Sequence, residues 1–162
     1  MKIELVNLTM SEYGSILAAH AFLEGMKAEH IEKIADCTSY VEFQRGQYVF
    51  RQGEAAENFY LILEGSAEVE LFSAAGGPVV LQKVGSGSVL GWSWLIPPYL
   101  WHFDAQVLQS VKALEVHAVR LRGFMAKDSA LGYEILSRFI VTVCERLESE
   151  RMRLVELYAS HS

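Results

Sequence analysis

The stretch "FQRGQYVFRQGEAAENFYLILEG", residues 43–65, alternates short apolar runs with single glycines. Phe43, Val49, Phe50, Phe59, Tyr60 and Ile62 supply the runs, and Gly46, Gly53 and Gly65 end them. Segments this short, each closed by a turn residue, read as strands of an antiparallel sandwich or barrel. The same texture extends outward across residues 40–120. YVEF precedes the stretch; AEVELF, VVLQKV, AQVLQ and VKALEVHAV follow it, punctuated by Gly76-Gly77-Pro78, Gly85 and Gly87. The glycines read as turn positions that need positive φ, not as phosphate-cradling loops.

Both flanks change period. Residues 11–38 are helical in pattern, with Met26, Ile31, Ile34, Ala35 and Thr38 at helical spacing and charges between them. In residues 129–158, Leu136, Ile140, Val143, Leu147, Glu150, Leu154 and Leu157 follow at alternating steps of four and three. That is a coiled-coil seam with Glu150 in one core slot, and it predicts a homodimer. A second stripe, Val141, Cys144, Met152 and Val155, is expected to pack this helix onto its own barrel.

With 162 residues, 51% of them apolar and 21% charged, the chain can bury one globular core. A formal net charge of −6 without a lysine or arginine run opposes direct DNA binding, which needs a basic face to displace phosphate counterions. Glu4 interrupts the N-terminus, so no secretory signal is expected. The charge-free run between Lys83 and Asp104 is long enough for a membrane, but its glycines and Pro97-Pro98 would strand backbone groups in lipid, so no span is expected. Cys37 and Cys144 lie far apart without metal-type neighbours and read as reduced thiols of a cytoplasmic protein.

The pattern F-x-x-G-x-x-V-F-x-x-G-x-x-x-x-x-F-Y-x-I-x-x-G over residues 43–65 resembles the β-roll of the cyclic-nucleotide-binding domain family. The resemblance continues through Gly85, Gly87 and Gly91 to the terminal helix and covers about residues 20–158. It implies an α+β fold: an N-terminal helical lead-in (1–38), an antiparallel β-roll (39–121) with a ligand cassette at 84–106, and C-terminal helices (122–162) with the dimer helix at 129–158. Family regulators of the catabolite-activator type add a helix-turn-helix domain after this helix; this chain ends at Ser162, so no direct DNA binding is expected.

In that family the cassette glutamate holds the ribose, and an arginine with backbone amides holds the cyclic phosphate. Here the matching positions run from Leu90 and Gly91 through Trp92 at the glutamate, then Ser93 and Trp94, to Phe103 at the arginine, Asp104 and Ala105. No lysine or arginine occurs from Val84 through Val111. Hydrogen bonds to charged groups contribute about 1.5–3 kcal/mol each, so losing both anchors should weaken nucleotide binding by roughly two to four orders of magnitude. The residues 91–106, GWSWLIPPYLWHFDAQ, hold every tryptophan of the chain. They are read in three ways: aromatics filling a vacated pocket, a site for a flatter and less anionic ligand, or a partner surface. Glu150 or Arg151 on the last helix falls near the position that caps the base in the family, and Arg146 or Arg151 is the candidate substitute for the missing cation.

Catalytic signatures are lacking. His20, His30, His102, His117 and His161 form no H-x-H pair, Glu68 and Glu70 read as a solvated strand face, and His102 and His117 as half-buried packing residues. A cupin-like metalloenzyme is therefore the weaker alternative, as is a genuine cyclic-nucleotide binder with a rearranged pocket. The expectation is a non-catalytic regulatory or sensor module without metal or fixed cofactor, open to an unknown small ligand, acting as a homodimer or through a protein partner.

Overall fold

The computed structural model describes residues 7–160. Residues 1–6, where the lead-in and the reading against a secretory signal begin, and His161 with Ser162 lie outside the described residues. Helix α1 (Met10–Ala19) starts where the Thr9 hydroxyl accepts the Glu12 N–H at 3.2 Å, satisfying one orphan donor. The helical run expected over 11–38 is broken into α1, a short 3-10 turn (Ala21–Leu23) and α2 (Ala28–Ala35). Lys27, before α2, caps with no side chain of its own. Glu134 of the long C-terminal helix takes its N–H at 3.0 Å instead, and lies 3.0 Å from the His30 ring.

Six antiparallel strands follow: β1 (Thr38–Phe43), β2 (Tyr48–Phe50), β3 (Asn58–Ser73), β4 (Gly77–Gly85), β5 (Val89–Leu90) and β6 (Asp104–His117). They form one sheet in the order β1-β6-β3-β4, with β2 added to β6 and β5 to β3. β3 and β6 are its spine, paired from Asn58↔His117 to Glu70↔Asp104. The runs FYLIL and AEVELF, expected as separate strands, are one strand bent at Gly65. There φ is +90°, and a Cβ would clash with the Ser110 carbonyl oxygen, so only glycine permits the crossing. Pairing shifts register between Ile62 and Ala67, as a bulged, rolling sheet requires. Val41, Phe59, Leu61, Ile62, Ala67 and Leu114 bury their side chains within the roll.

The roll ends earlier than expected. Helix α3 (Ala118–Lys127) begins at 118, not 122, because the His117 ring turns back to accept the Arg120 N–H at 3.2 Å. Asp128 then separates α3 from α4 (Ser129–Ser160) and caps the latter through the Leu131 N–H at 3.2 Å. The stripe Val141, Cys144, Met152 and Val155 does not face the barrel: all four are exposed. Leu131, Gly132, Ile135, Phe139 and Arg146 do. Phe139 sets this rotation, because its ring packs edge-on against Phe22, Phe59 and Trp94 at 4.9–5.3 Å.

Two further expectations need correction. Glu70 does not lie on a solvated face: it is 5% exposed, because the rolling sheet turns it under the Asp104 strand, and burial with the carboxylates of Glu68 and Asp104 raises its pKa. His102 and His117 are exposed, whereas His20 and His30 are the buried histidines. His20 is fixed by the Ile62 carbonyl at 2.9 Å. Of the free thiols, Cys37 is buried and pushed up to about 11 by that burial, while Cys144 is exposed.

Candidate functional site

The cassette begins where β5 ends. Leu90 is fully buried, and Gly91 turns the chain with φ +98°. A Cβ on Gly91 would sit 2.6 Å from the Trp101 ring, so an aromatic neighbour by itself requires the glycine. One 3-10 turn follows, Ser93–Leu95. It is anchored from outside: Arg122 of α3 donates to the Trp94 carbonyl at 2.6 Å and lays its guanidinium 3.9 Å over the Tyr99 ring. Tyr99 holds φ at +60°, uncommon for a non-glycine residue, and its carbonyl accepts the Ala56 N–H at 2.7 Å. Gly53 and Glu54 exchange backbone hydrogen bonds with Trp101 at 2.8 and 2.9 Å, so the segment after β2 clamps the end of the cassette.

The aromatic residues divide into two sets. Trp94 is fully buried and stacks on Phe59 at 4.8 Å and 15°. Its indole Nε1 has no partner, an omission that costs about 1–3 kcal/mol in a buried site. Trp101, also buried, stacks on Phe50 at 3.7 Å and 7°. These two rings are core. Trp92 and Phe103 stay half-buried, with centroids 6.3 Å apart, and the exposed His102 ring lies 6.2 Å from Trp92. The buried Ser93 hydroxyl meets His102 Nδ1 at 3.3 Å. Ala105 is fully buried.

Asp104 does not face this second set. Its carboxylate accepts the Gln52 N–H at 2.7 Å and lies 3.4 Å from Arg51 Nε, so it serves the junction with β2.

The cation absent from the cassette arrives from α4. Arg146 is 5% exposed, and its guanidinium lies 5.1 Å from the centroid of Phe103. Its Nε donates to Gln82 Oε1 on β4 at 2.8 Å. Its Nη1 is buried without a partner, and so is Glu150 Oε1 one helical turn on. Burial lowers the Arg146 pKa and Glu150 opposes that shift. Arg151 instead points to solvent and pairs with Glu148 at 3.8 Å. Of the two candidate cations that the sequence offers, Arg146 is the one that reaches the cassette and Arg151 is not; Gln82 carries no signal in the sequence.

Leu136, Ile140, Leu147, Leu154 and Leu157 of the seam are exposed by 48–57%, and Val143 is half-buried. Leu136 and Ile140 border an apolar groove of about 450 Å³ that Trp92, Leu95 and Ile96 close from the cassette side. The cassette edge and the upper seam therefore form one continuous surface. Among the described residues, no group of three or more His, Cys, Asp or Glu side chains is placed to hold a metal ion, and no helix is long and apolar enough to cross a membrane.

The family model described as "Cyclic nucleotide-binding domain" matches residues 40–128. A CRP-like cAMP-activated global transcriptional regulator of Mycobacterium tuberculosis is 23% identical over 88% of this chain and 62% of its own length. A putative cyclic nucleotide-binding protein from Geobacter metallireducens superposes with a TM-score of 0.74 at 26% identity, covering 83% of this chain and 97% of that one. The regulatory subunit of a cAMP-independent protein kinase A from Trypanosoma cruzi, bound to guanosine, is 26% identical with a TM-score of 0.62, over 69% of this chain and 40% of that one. The chain spans less than two thirds of the curated relatives it matches, 15% of one and 62% of another.

Proposed function

The chain belongs to the cyclic nucleotide-binding domain family, and we propose that within it this protein is a non-catalytic regulatory module that does not take cyclic AMP or cyclic GMP. The observation that carries this reading is the cassette. Its arginine position is Phe103, its glutamate position is Trp92, and the one cation brought to it, Arg146, is tied to Gln82 with Glu150 alongside. A cyclic phosphate entering there meets an adjacent carboxylate, and its ribose finds an indole in place of an acceptor. The Trypanosoma cruzi relative, named cAMP-independent and bound to guanosine, supports a pocket of this fold serving an uncharged ligand.

Output runs through α4 in this reading. The row of leucine and isoleucine side chains about half exposed on α4 is covered, in this reading, by a second copy as a homodimer in the cytoplasm. Acidic net charge argues that any effect on DNA passes through a protein partner. Calorimetry tests the ligand claim: neither cyclic nucleotide should bind below roughly 10 μM, equivalent to about 7 kcal/mol. Tight binding of either would overturn the reading. Light scattering tests the assembly, with a mass of twice 18.2 kDa expected and lost in Leu147→Asp.

A further inference from the structure

Helix α4 has two unlike halves. Up to Arg146 it lies on its own roll, burying Leu131, Ile135 and Phe139; from 151 to 160 every residue is exposed. That exposed stretch carries Met152, Leu154, Val155, Leu157 and Tyr158, each exposed by 48–73%. A helical stretch so short draws little stability from its own hydrogen bonds and depends on packing. The first half offers the opposite shape. Leu136 and Ile140 form one wall of the apolar groove of about 450 Å³, and Trp92, Leu95 and Ile96 of the cassette form the other.

We propose that the 151–160 stretch of α4 from a second copy enters this groove, so that the two α4 helices pair antiparallel. This rests on the reading of α4 as the dimer helix and names how the two copies meet. From Ile140 to Leu157 the seam steps by three, four, three, four and three, which reads alike in both directions. An antiparallel pair therefore stays in register, with Ile140 against Leu157 of the second copy, Val143 against Leu154 and Leu147 against Glu150. Leu157 and Tyr158 of each copy then reach the groove of the other, a self-complementary contact closed by one two-fold axis. A parallel pair sets like against like. Groove faces groove, two hollows leave a void, and a void forfeits packing contacts. Glu150 opposes the parallel pair as well. It is half-buried, and its Oε1 is sealed from solvent without a hydrogen-bond partner. Parallel pairing would set it against its own copy, and two carboxylates in one core layer repel. Antiparallel pairing puts Leu147 opposite it and moves the second carboxylate to the next layer.

Disulfide trapping in the full chain reads the direction, on a Cys144→Ser background that removes the exposed thiol. Ile140→Cys and Leu157→Cys should not trap singly, because in the antiparallel pair each lies roughly 25 Å along the axis from its own copy. The double variant should trap as a covalent dimer. Nitroxide labels on Tyr158→Cys give a reading independent of trapping: roughly 28 Å apart along the axis if antiparallel, against roughly 10 Å, one interhelical distance, if parallel. Ile96→Asp tests the groove itself, since Ile96 lies on the cassette outside the seam and is 45% exposed. Its carboxylate would be buried under the second copy, so dimer dissociation should rise at least roughly tenfold by light scattering. Trapping of either single variant, labels near 10 Å, or a dimer indifferent to Ile96→Asp overturns the antiparallel docking and leaves the dimer reading standing. A native chain that stays monomeric at micromolar concentration defeats both.

Discussion

Trp94 and Trp92 stand two residues apart in one aromatic cassette and meet opposite fates. Trp94, with Trp101, is consumed by the fold: each stacks flat on a phenylalanine of the roll and is sealed from solvent. Trp92, Phe103 and His102 remain at the edge, where Phe103 meets Arg146 and Trp92 lines the groove along α4. The difference teaches that aromatic enrichment is not one property. The filled-pocket reading of the sequence describes Trp94 and Trp101, whereas Trp92 and Phe103 are not consumed by the core.

The largest test of that division is Trp94→Ala. Removing a fully buried indole that packs on Phe59 and Phe139 should cost about 3–5 kcal/mol, read as a shift in the urea midpoint. A loss under about 1 kcal/mol would mean Trp94 is not core and would erase the comparison. Gly91→Ala comes next. It forces a residue with a Cβ into φ +98° and drives that atom against the Trp101 ring, which is itself wedged on Phe50; about 2–3 kcal/mol should be lost.

A smaller effect sharpens the boundary at Asp104. The carboxylate across from it, Glu70, has a raised pKa in the folded state. The folded protein then holds a proton that the unfolded chain releases, so stability is full below the unfolded value of 4.5 and declines as pH rises from there toward the higher folded value. Glu70→Gln should flatten that decline and leave the variant more stable than the native protein at neutral pH, with the gap closing in acid. A variant less stable at every pH would show that the ionised carboxylate is wanted by Arg51. Smallest of all is Phe103→Leu. It loses mainly the contact with Arg146, about 0.5–2 kcal/mol, and should barely move the thermal midpoint while exposing the guanidinium to ligand or solvent. If Phe103→Leu destabilises as much as Trp94→Ala, the edge of the cassette is core as well.

Much of this was legible in advance. The glycine-punctuated runs around Gly46, Gly53 and Gly65 carry the β-roll, because turn chemistry is local and a glycine is needed wherever φ turns positive. The departure at the cassette was equally plain, since the residues from Val84 to Val111 hold no cation. Burial was harder to read. Glu68 and Glu70 alternate with apolar neighbours as a solvated face would, yet the pairing of β3 with β4 shifts register between Val69 and Glu70, and Glu70 is buried beside Val69. The stripe that docks α4 was likewise misassigned, because several apolar stripes coexist on that helix and periodicity ranks none of them.

What the sequence determined by itself was therefore the order of helical and strand-rich regions, the lack of a cation from Val84 through Val111 and the seam spacing from Leu136 to Leu157, all set by short-range spacing and residue type. What only the tertiary structure decided was which side of each element meets what. Phe139 locks between Phe22, Phe59 and Trp94 and thereby fixes the rotation of α4. That rotation buries Arg146 over Phe103, 43 positions earlier in the chain. Contacts between residues so far apart are chosen by close packing among many competing partners, and local sequence holds no record of which partner prevails.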